Sequence, residues 1–311
     1  MHRTRALGDD ISGSSEPLIS VVIPTWNRRQ LVQEAIASVM AQTYSKWELI
    51  VVDDGSTDGT IEALGTFTDP RMNFISSEHI GNLGQLRDLG AVAGRGEWLA
   101  FLDSDDVWNP EKLELQLREL ARTGTDWSYT AYQLIDDRKI PIPLRTGRLR
   151  AISGWIILDL LAERTGICSG TLVARRTLFE AVGGFSKNGI YAFEDVDLAL
   201  RLALAAPVAA LPEALTRVRD HPGRMSATLQ LGHHHMARVY EAVLRTLSDP
   251  RALQLARGKL AYHLAEEATQ RMRRRERRTA VRCLARAFAL GDAAPHWLRC
   301  TARSIRAGLH S

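Results

Sequence analysis

Three short apolar segments recur in the first third of the chain, and each is followed by a turn rich in polar residues. Residues 19–23, 47–52 and 97–102 are compact and rich in β-branched or aromatic side chains. Such runs are typical of strands that are buried on both faces of a sheet. Apolar residues at helical spacing separate them, for example across residues 31–39. Alternating strands and helices predict a mostly parallel, right-handed α/β sheet through roughly residue 105.

The composition suits an ordinary globular protein. The 311 residues are 45% hydrophobic and 24% charged, so the chain can bury a substantial core. No segment reaches the roughly 18 apolar residues that a membrane span requires. Residues 1–17 contain arginines without a following apolar run, which favours a flexible polar lead over a secretory signal. Three cysteines without metal-ligand spacing predict free thiols and a reducing, cytoplasmic compartment.

Charge is divided unevenly between the body of the chain and its tail. Residues 228–311 hold 16 basic and 6 acidic side chains, whereas the preceding residues hold 24 and 30. An arginine stripe in the tail accompanies an apolar stripe formed by Val281, Leu284, Ala285 and Phe288. This pattern suits either a helix on anionic lipid headgroups or an ordinary helix with a solvated face, and we favour the second. Without a recognition motif, we expect no nucleic-acid partner.

Two acidic turns follow two of the predicted strands. Asp53 and Asp54 close the second strand, and Asp103 and Asp105 follow the strand at residues 97–102. Ligands of open α/β sheets bind beyond the carboxyl ends of the strands, so both turns would open onto one crevice if the strands are neighbours. Three carboxylates there could serve a base N–H, a ribose hydroxyl and a cation that bridges a diphosphate. An Asp-rich turn that only caps the next helix is the structural alternative.

Four segments, taken in order, resemble the signatures of family 2 glycosyltransferases with the GT-A fold. They are Ile19-Ser-Val-Val-Ile-Pro-Thr-Trp-Asn27, Asp53-Asp-Gly-Ser-Thr-Asp-Gly-Thr60, Gly81-Asn-Leu-Gly84 with Arg87, and Phe101-Leu-Asp-Ser-Asp-Asp106. Each piece is weak alone, but four in order at appropriate intervals are a strong signal. The resemblance covers roughly residues 18–226.

The resemblance and the helical spacing together predict three regions. Residues 1–17 form the flexible lead. Residues 18–227 form an α/β GT-A domain, which is Rossmann-like with a mostly parallel sheet and flanking helices. Its nucleotide-binding half covers residues 18–108, and its acceptor and catalytic half covers residues 109–227. Residues 228–311 form a basic, α-helical C-terminal region.

The resemblance implies transfer of a sugar, with inversion, from a nucleoside-diphosphate sugar to a saccharide or lipid-linked acceptor. A UDP-sugar is the first expectation for the donor. Such transfers serve polysaccharide or cell-envelope glycan synthesis, here in the cytoplasm or at the inner face of the membrane. The family also implies Mn²⁺ or Mg²⁺, which withdraws charge from the departing diphosphate.

The resemblance also implies roles for particular residues. His221 could bind the metal or a phosphate oxygen, or it could be an ordinary surface histidine, whereas Asp105 is implied as the metal ligand. Asp88 departs from the family pattern, in which asparagine commonly follows the arginine. The implied contacts to the nucleotide sugar are Pro24, Thr25, Asn27, Asp53, Asp54, Arg87, Asp103 and Ser104.

An inverting transfer requires one base on the acceptor side of the sugar. The pair Glu194-Asp195 resembles the catalytic acidic element of the family, which implies Asp195 as the base and Glu194 as a support for acceptor or donor. A carboxylate that is shielded from water beside another acidic group has a raised pKa, which helps it to accept a proton near neutral pH. Acidic residues in the first turn of a helix are the structural alternative.

Two other functions stay open. A sugar nucleotidyltransferase usually needs a basic Gly-rich loop after the first strand, and Pro24-Thr-Trp-Asn27 offers none. A non-catalytic module could use the basic tail to reach membranes or partners, but the intact acidic turns argue against it.

Histidine and tryptophan residues also suggest sites, and we favour structural roles for them. Consecutive positions on a helix point in different directions, so residues 233–235, which are all histidine, predict a polar helix surface more than a metal cluster. Trp26, Trp98 and Trp108 could stack on a base or a sugar, but core packing is the safer interpretation.

Overall fold

The computed structural model describes residues 16–142, 150–221 and 232–290. Most of the predicted lead and the last part of the C-terminal region, which includes Cys300, lie outside the described residues. Within them, Cys168 and Cys283 are free thiols, as predicted.

Strands and helices alternate as the sequence predicts, with small differences at their ends. The described strands are β1 (Ile19–Thr25), β2 (Trp47–Asp53), β3 (Met72–Ser76), β4 (Trp98–Phe101), β5 (Val107–Trp108), β6 (Trp127–Ile135), β7 (Pro141–Ile142), β8 (Val173–Arg175) and β9 (Ala209–Arg219). The described helices are α1 (Arg29–Met40), α2 (Thr60–Leu64), α3 (Leu83–Ala93), α4 (Lys112–Thr123), α5 (Ile157–Leu161), α6 (Arg176–Val182), α7 (Glu194–Ala205), α8 (Gly232–Leu244), α9 (Pro250–Arg273) and α10 (Arg277–Ala289), with a 3₁₀ turn at Ser169–Thr171.

The described strands form one sheet, which is parallel in its first half and mixed in its second. Its order is β3-β2-β1-β4-β8-β6-β9-β5, and β7 pairs with β6. The first four strands are parallel, β8 is antiparallel to β4, and β6 is parallel to β9. Because β2 and β4 flank β1, the two acidic turns lie on either side of the carboxyl end of β1.

Strand β1 continues through Pro24 to Thr25, two residues beyond the apolar segment at residues 19–23. Val22 accepts a hydrogen bond from the backbone N–H of Leu102, so its peptide groups face β4. Pro24, two residues on, would face the same side, but the pairing of β1 with β4 ends at Val22. Because Pro24 has no N–H, it cannot continue the ladder to β4, whereas β1 keeps its pairing with β2 as far as Thr25.

Helices cover both faces of the sheet. Val21 and Ile23 of β1 pack in the apolar cluster that includes α1, whereas Val22 packs in the cluster that includes α3 and α7. Gly90 lets α3 lie close to β1, because a Cβ at this position would come within 2.3 Å of Val22 Cγ1. This close packing fixes α3, which carries Arg87.

The C-terminal helices pack against α5 and α7. Apolar residues of α8 and α9 form one cluster with residues of α5 and α7, among them Leu161 and Leu200. Helix α9 begins at an N-cap, where Asp249 accepts a hydrogen bond from the N–H of Ala252. In the described part of the chain, no helix is long and apolar enough to cross a membrane.

Candidate active site

A cavity of about 650 Å³ opens beyond the carboxyl ends of β1 and β4. Most of the expected acidic side chains reach it, together with residues of β9. Of the residues implied by sequence, the cavity is lined by Pro24, Thr25, Asp54, Arg87, Asp103, Ser104, Asp105, Glu194 and Asp195. Asn27, Asp53 and His221 do not line it.

Asn27 and Asp53 instead shape the first acidic turn. Asn27 has a φ of 50°, in the left-handed region that asparagine tolerates. Its Oδ1 accepts a hydrogen bond from the N–H of Thr57, and its own N–H donates to Ser56 Oγ, both at 2.8 Å. Asp53 is buried, and its Oδ2 accepts from the N–H of Ser56 at 2.9 Å. These bonds hold the turn against the end of β1.

Asp54 organises a second loop at the cavity wall. Its carboxylate accepts hydrogen bonds from the backbone N–H groups of Ile80 (2.6 Å) and Gly81 (2.9 Å). His79 Nδ1 lies 2.9 Å from the same carboxylate. Asp54 thus lines the cavity with a carboxylate that these contacts hold in place.

Arg87 is the most heavily engaged charge of the site. Its side chain is only 2% exposed, and its guanidinium lies 2.5 Å from carboxylate oxygens of both Asp103 and Glu194. It also donates to Ser169 Oγ at 3.1 Å. A buried arginine requires such partners, because an uncompensated charge in the interior is costly. Arg87 therefore ties the second acidic turn, at Asp103, to the start of α7.

Asp88 points away from the cavity. Its carboxylate accepts hydrogen bonds from the N–H groups of Phe185 and Ser186, both at 2.8 Å. Gly184, next to them, has a φ of 63°, and a Cβ there would lie 2.6 Å from Asp88 Oδ1. Asp88, the departure from the family pattern, thus fixes the turn that follows α6.

The second acidic turn is held by the end of β9. Asp105 Oδ2 lies 3.0 Å from His221 Nε2 and 4.0 Å from a guanidinium nitrogen of Arg28. Arg219 donates from Nε to the carbonyl of Asp105 (3.0 Å) and from its backbone N–H to Asp106 Oδ1 (2.9 Å). Burial, followed by the nearby Asp105 charge, raises the pKa of Asp106 well above its ordinary value. Asp103 and Asp105 therefore face the cavity, whereas Asp106 is buried and holds the turn to β9.

Asp195 is placed by an unusual helix start. Phe193 precedes α7 with a φ of 64°, which is strained for a bulky side chain. The next two residues, Glu194 and Asp195, lie at the cavity wall. Burial raises the pKa of Asp195 to about 7, Glu194 and Asp103 add to the rise, and Arg87 opposes it. Oδ1 of Asp195 accepts a hydrogen bond from the N–H of Val196 at 2.8 Å. This carboxylate can exchange a proton near neutral pH.

Several cavity residues were not identified from the sequence. Trp26 is 48% exposed and stacks on His79, with ring centroids 4.5 Å apart, so the expectation of core packing is wrong for Trp26. Trp98 and Trp108 are buried, as expected. Arg28 also lines the cavity, together with Tyr191, Phe193 and Arg219. The exposed aromatic directly after the first strand was the one available signal.

The three consecutive histidines lie in the first turn of α8, and two of them contact α9, so the predicted polar helix surface is only partly right. His233 Nδ1 lies 2.9 Å from His263 Nδ1, and His234 Nδ1 lies 3.1 Å from Glu267 Oε1. Burial lowers the pKa of His263 to about 3. In the described residues, no group of three or more histidine, cysteine or acidic side chains is arranged to hold a metal ion.

The comparison with protein families decides the affiliation of the chain. A model named Glycosyl transferase family 2 matches residues 20–183, which is more than half of the chain. The chain belongs to glycosyl transferase family 2. The matched region holds both acidic turns and Arg87, and it ends before Asp195.

Two curated proteins are similar to this chain. WfgD of Escherichia coli, a UDP-Glc:alpha-D-GlcNAc-diphosphoundecaprenol beta-1,3-glucosyltransferase, is 32% identical over 161 residues, 52% of this chain and 61% of the relative. The putative teichuronic acid biosynthesis glycosyltransferase TuaG of Bacillus subtilis is 35% identical over 129 residues, 41% of this chain and 51% of the relative. The chain thus covers about half to three fifths of the length of these relatives.

Two solved structures share the fold. The structure of S. aureus TarS 1–349 in complex with UDP-GlcNAc has a TM-score of 0.65 at 19% identity, covering 93% of this chain and 89% of that chain. The mannosyltransferase PcManGT from Pyrobaculum calidifontis, in complex with GDP-Man and Mn²⁺, has a TM-score of 0.62 at 18% identity, covering 96% and 87%. At these identities the likeness concerns the fold, and it confirms the expected GT-A architecture with a helical C-terminal region.

Proposed function

We propose that this family 2 protein transfers a sugar, with inversion, from a nucleoside-diphosphate sugar to a saccharide or lipid-linked acceptor. One observation carries the proposal: Arg87 joins Asp103, in the second acidic turn, to Glu194, which directly precedes Asp195. The side chains suited to a nucleotide sugar and the side chain suited to a base therefore share one cavity. A cavity of about 650 Å³ also has the size of a small-molecule site.

The donor would lie along the carboxyl ends of β1 and β4. The exposed ring of Trp26 offers a stacking surface for the base, and Asp54 offers a carboxylate beside it. The Asp103 side chain is 32% exposed in the same cavity, and its carboxylate would suit a ribose hydroxyl. Arg28 lines the same cavity, its side chain is 28% exposed, and it would attract the diphosphate.

Asp105 and His221 are the residues that would hold Mn²⁺ or Mg²⁺. The carboxylate of Asp105 and the imidazole of His221 lie 3.0 Å apart, which suits two ligands of one ion. Two protein ligands fit a cation that takes its other oxygens from substrate phosphates and water, as Mg²⁺ commonly does. When bound, the ion would neutralise the charge that develops on the leaving diphosphate.

Asp195 would act as the base. The acceptor oxygen forms a bond to the anomeric carbon, the bond from that carbon to the diphosphate oxygen breaks, and the acceptor proton passes to the carboxylate of Asp195. Oδ1 already accepts the N–H of Val196, so Oδ2 is the oxygen suited to receive the proton. Glu194 is held by Arg87 and would position α7 for this step.

The curated relatives support the acceptor class and the biological setting. WfgD is named for a UDP-glucose donor and a diphosphoundecaprenol-linked acceptor, and TuaG is named for teichuronic acid biosynthesis. We therefore propose cell-envelope or polysaccharide glycan synthesis, with UDP-sugars as the first donors to test. A lipid-linked acceptor on the cytoplasmic face would place the enzyme at the inner surface of the membrane.

A panel of nucleotide sugars tests the proposal. The full chain would be incubated with UDP-glucose, UDP-N-acetylglucosamine, UDP-galactose and GDP-mannose in Mn²⁺, and release of the nucleoside diphosphate would be followed with and without EDTA. We expect release from at least one UDP-sugar and loss of release in EDTA. The proposal fails if no donor in the panel binds or turns over, with or without a polyprenyl-diphosphate sugar as acceptor.

A further inference from the structure

Helix α10 has two faces, and the buried one is not the face that the sequence suggested. Ala280, Cys283 and Ala287 are buried, and they pack against the α9 side of the C-terminal region. Val281 is 62% exposed and Phe288 is 47% exposed. The expected apolar stripe is therefore largely on the outside, and small side chains make the contact with α9.

The exposed face of α10 combines apolar and basic side chains. Val281, Ala285 and Phe288 follow one another at intervals of four and three residues, so they form one strip along the helix. Arg278 and Arg282, at an interval of four, run directly beside this strip and are exposed. An ordinary solvated face would carry mixed charges around such positions, but residues 277–289 contain no acidic side chain.

Positive charge is concentrated around this helix. Residues 271–290 contain eight arginines and one glutamate. Arg271 is paired with Glu267 and Glu276, and Arg286 with Glu241. No ion pair within the described residues involves Arg278 or Arg282, so their charge faces outward from the apolar strip.

We propose that the exposed face of α10 binds an anionic lipid surface, with Val281 and its strip at the boundary of the acyl chains and the arginines among the headgroups. Helices that lie in a membrane interface show this pairing of an apolar strip with flanking basic residues. The charge complements anionic lipid, each arginine near such a surface strengthening binding about fivefold. None of residues 277–289 lines the cavity, so this surface is separate from the proposed active site.

The apolar strip favours a lipid surface over other anionic partners. A nucleic acid would use the arginines as phosphate ligands, but it would gain little from Val281 on a helix surface without a recognition motif. A lipid surface uses both kinds of side chain. Substitution of each kind alone therefore identifies the partner.

Sedimentation with vesicles tests the proposal on the full chain. The vesicles would be either phosphatidylcholine alone or equal parts of phosphatidylcholine and phosphatidylglycerol. We expect binding to the anionic vesicles only. Arg278→Gln with Arg282→Gln should weaken it about 25-fold, by the combined effect of two arginines. Val281→Gln should weaken it on the order of tenfold, because the apolar side chain no longer leaves water.

A matched pair on α4 controls for general loss of charge. Arg118 and Arg122 have the same interval of four residues and are exposed, but Glu111, Glu114 and Glu119 lie on or next to the same helix. Arg118→Gln with Arg122→Gln should leave vesicle binding within about twofold of the wild type. All variants replace exposed side chains, and nucleotide release from a free donor should stay unchanged in each.

The vesicle result is independent of the proposed transferase activity, so either can fail alone. Equal binding to both kinds of vesicle would overturn the proposal, and so would an effect of the α4 pair equal to that of the α10 pair. Unchanged binding in Val281→Gln, together with binding of a single-stranded oligonucleotide that depends on Arg278 and Arg282, would assign the surface to nucleic acid and contradict the proposal.

Discussion

Arg87 and Glu194 are 107 residues apart in the sequence, yet a guanidinium nitrogen of one lies 2.5 Å from a carboxylate oxygen of the other. Both side chains are buried. The same guanidinium reaches Asp103, so a single side chain on α3 joins the end of β4 to the first turn of α7. The orientation of Asp195, the next residue after Glu194, therefore depends on Arg87.

Replacement of Arg87 by methionine should lower both stability and turnover. It leaves Glu194 buried without its partner, and removal of one member of a buried ion pair costs about 3–5 kcal/mol of unfolding free energy. Denaturant unfolding and turnover per folded molecule would be measured together.

Arg201→Met is the matched control for Arg87→Met. Arg201 is also buried and pairs with a carboxylate of α7, Asp197, at 2.6 Å, but it does not line the cavity. This variant should lose stability while its folded fraction keeps near-normal turnover. Equal loss of turnover in both variants would refute a specific role for the Arg87 bridge.

The rate of the wild-type enzyme should rise with pH through about 7. Burial raises the pKa of Asp195 to about 7, and a base must be deprotonated to accept the acceptor proton. Below that pH, kcat/KM should fall about tenfold for each pH unit. A profile that is flat from pH 5 to about 8, with donor binding intact, would contradict the assignment of the base.

Asp195→Asn should be more stable than the wild type at alkaline pH. The ordinary pKa of an aspartate is about 3.9, and the folded protein raises it to about 7. The folded state thus favours the protonated carboxyl, and stability is lost as the pH rises between these two values. Asparagine cannot ionise, so its melting temperature should exceed that of the wild type at pH 8 and match it near pH 4. A lower melting temperature at pH 8 would show that the charged carboxylate is stabilised.

Asp105→Asn should weaken binding of the donor only when the metal is present. The neutral amide is a poorer ligand for a hard cation than the carboxylate. Isothermal titration with UDP should show at least about a tenfold loss of affinity in Mn²⁺ and little difference in EDTA. Equal affinity of wild type and variant in Mn²⁺ would remove Asp105 from the proposed metal site.

Trp26→Ala should weaken binding of the nucleoside diphosphate. Stacking of a base on an aromatic side chain contributes about 1–3 kcal/mol, which corresponds to roughly 5- to 150-fold in Kd. Trp155 is the control, because it is 64% exposed and does not line the cavity. Trp155→Ala should bind UDP like the wild type, and a similar loss in both variants would show that stacking on Trp26 is not the cause.

The parallel half of the fold could be predicted because its signals are local. Apolar runs and helical spacing identify β1 to β4 and their helices, and the acidic turns locate the cavity edge. Strand β9 was missed, since Pro212 and Glu213 interrupt its apolar pattern and register shifts near Ala131 of β6 accommodate the irregularity. The antiparallel placement of β8 beside β4 depends on long-range packing that no single segment reveals.

The sequence predicted which residues form the site more fully than it predicted how their side chains are arranged. The motifs identified Asp54, Asp103, Asp105 and Asp195, which all line one cavity. They could not show that Arg87 is paired with two carboxylates. They also could not show that Asn27 shapes a turn. Such roles depend on which side of a turn a side chain takes, and that is decided by neighbours distant in sequence.

Donor binding and turnover measured on one preparation of Asp195→Asn test the central claim most directly. The account predicts that the variant binds the UDP-sugar within about twofold of the wild type, because the donor contacts lie on β1 and β4. It also predicts that turnover falls at least about 100-fold, the usual contribution of a general base. Turnover close to that of the wild type, or a loss of donor binding that accounts for the whole defect, would contradict a base at Asp195 facing the donor.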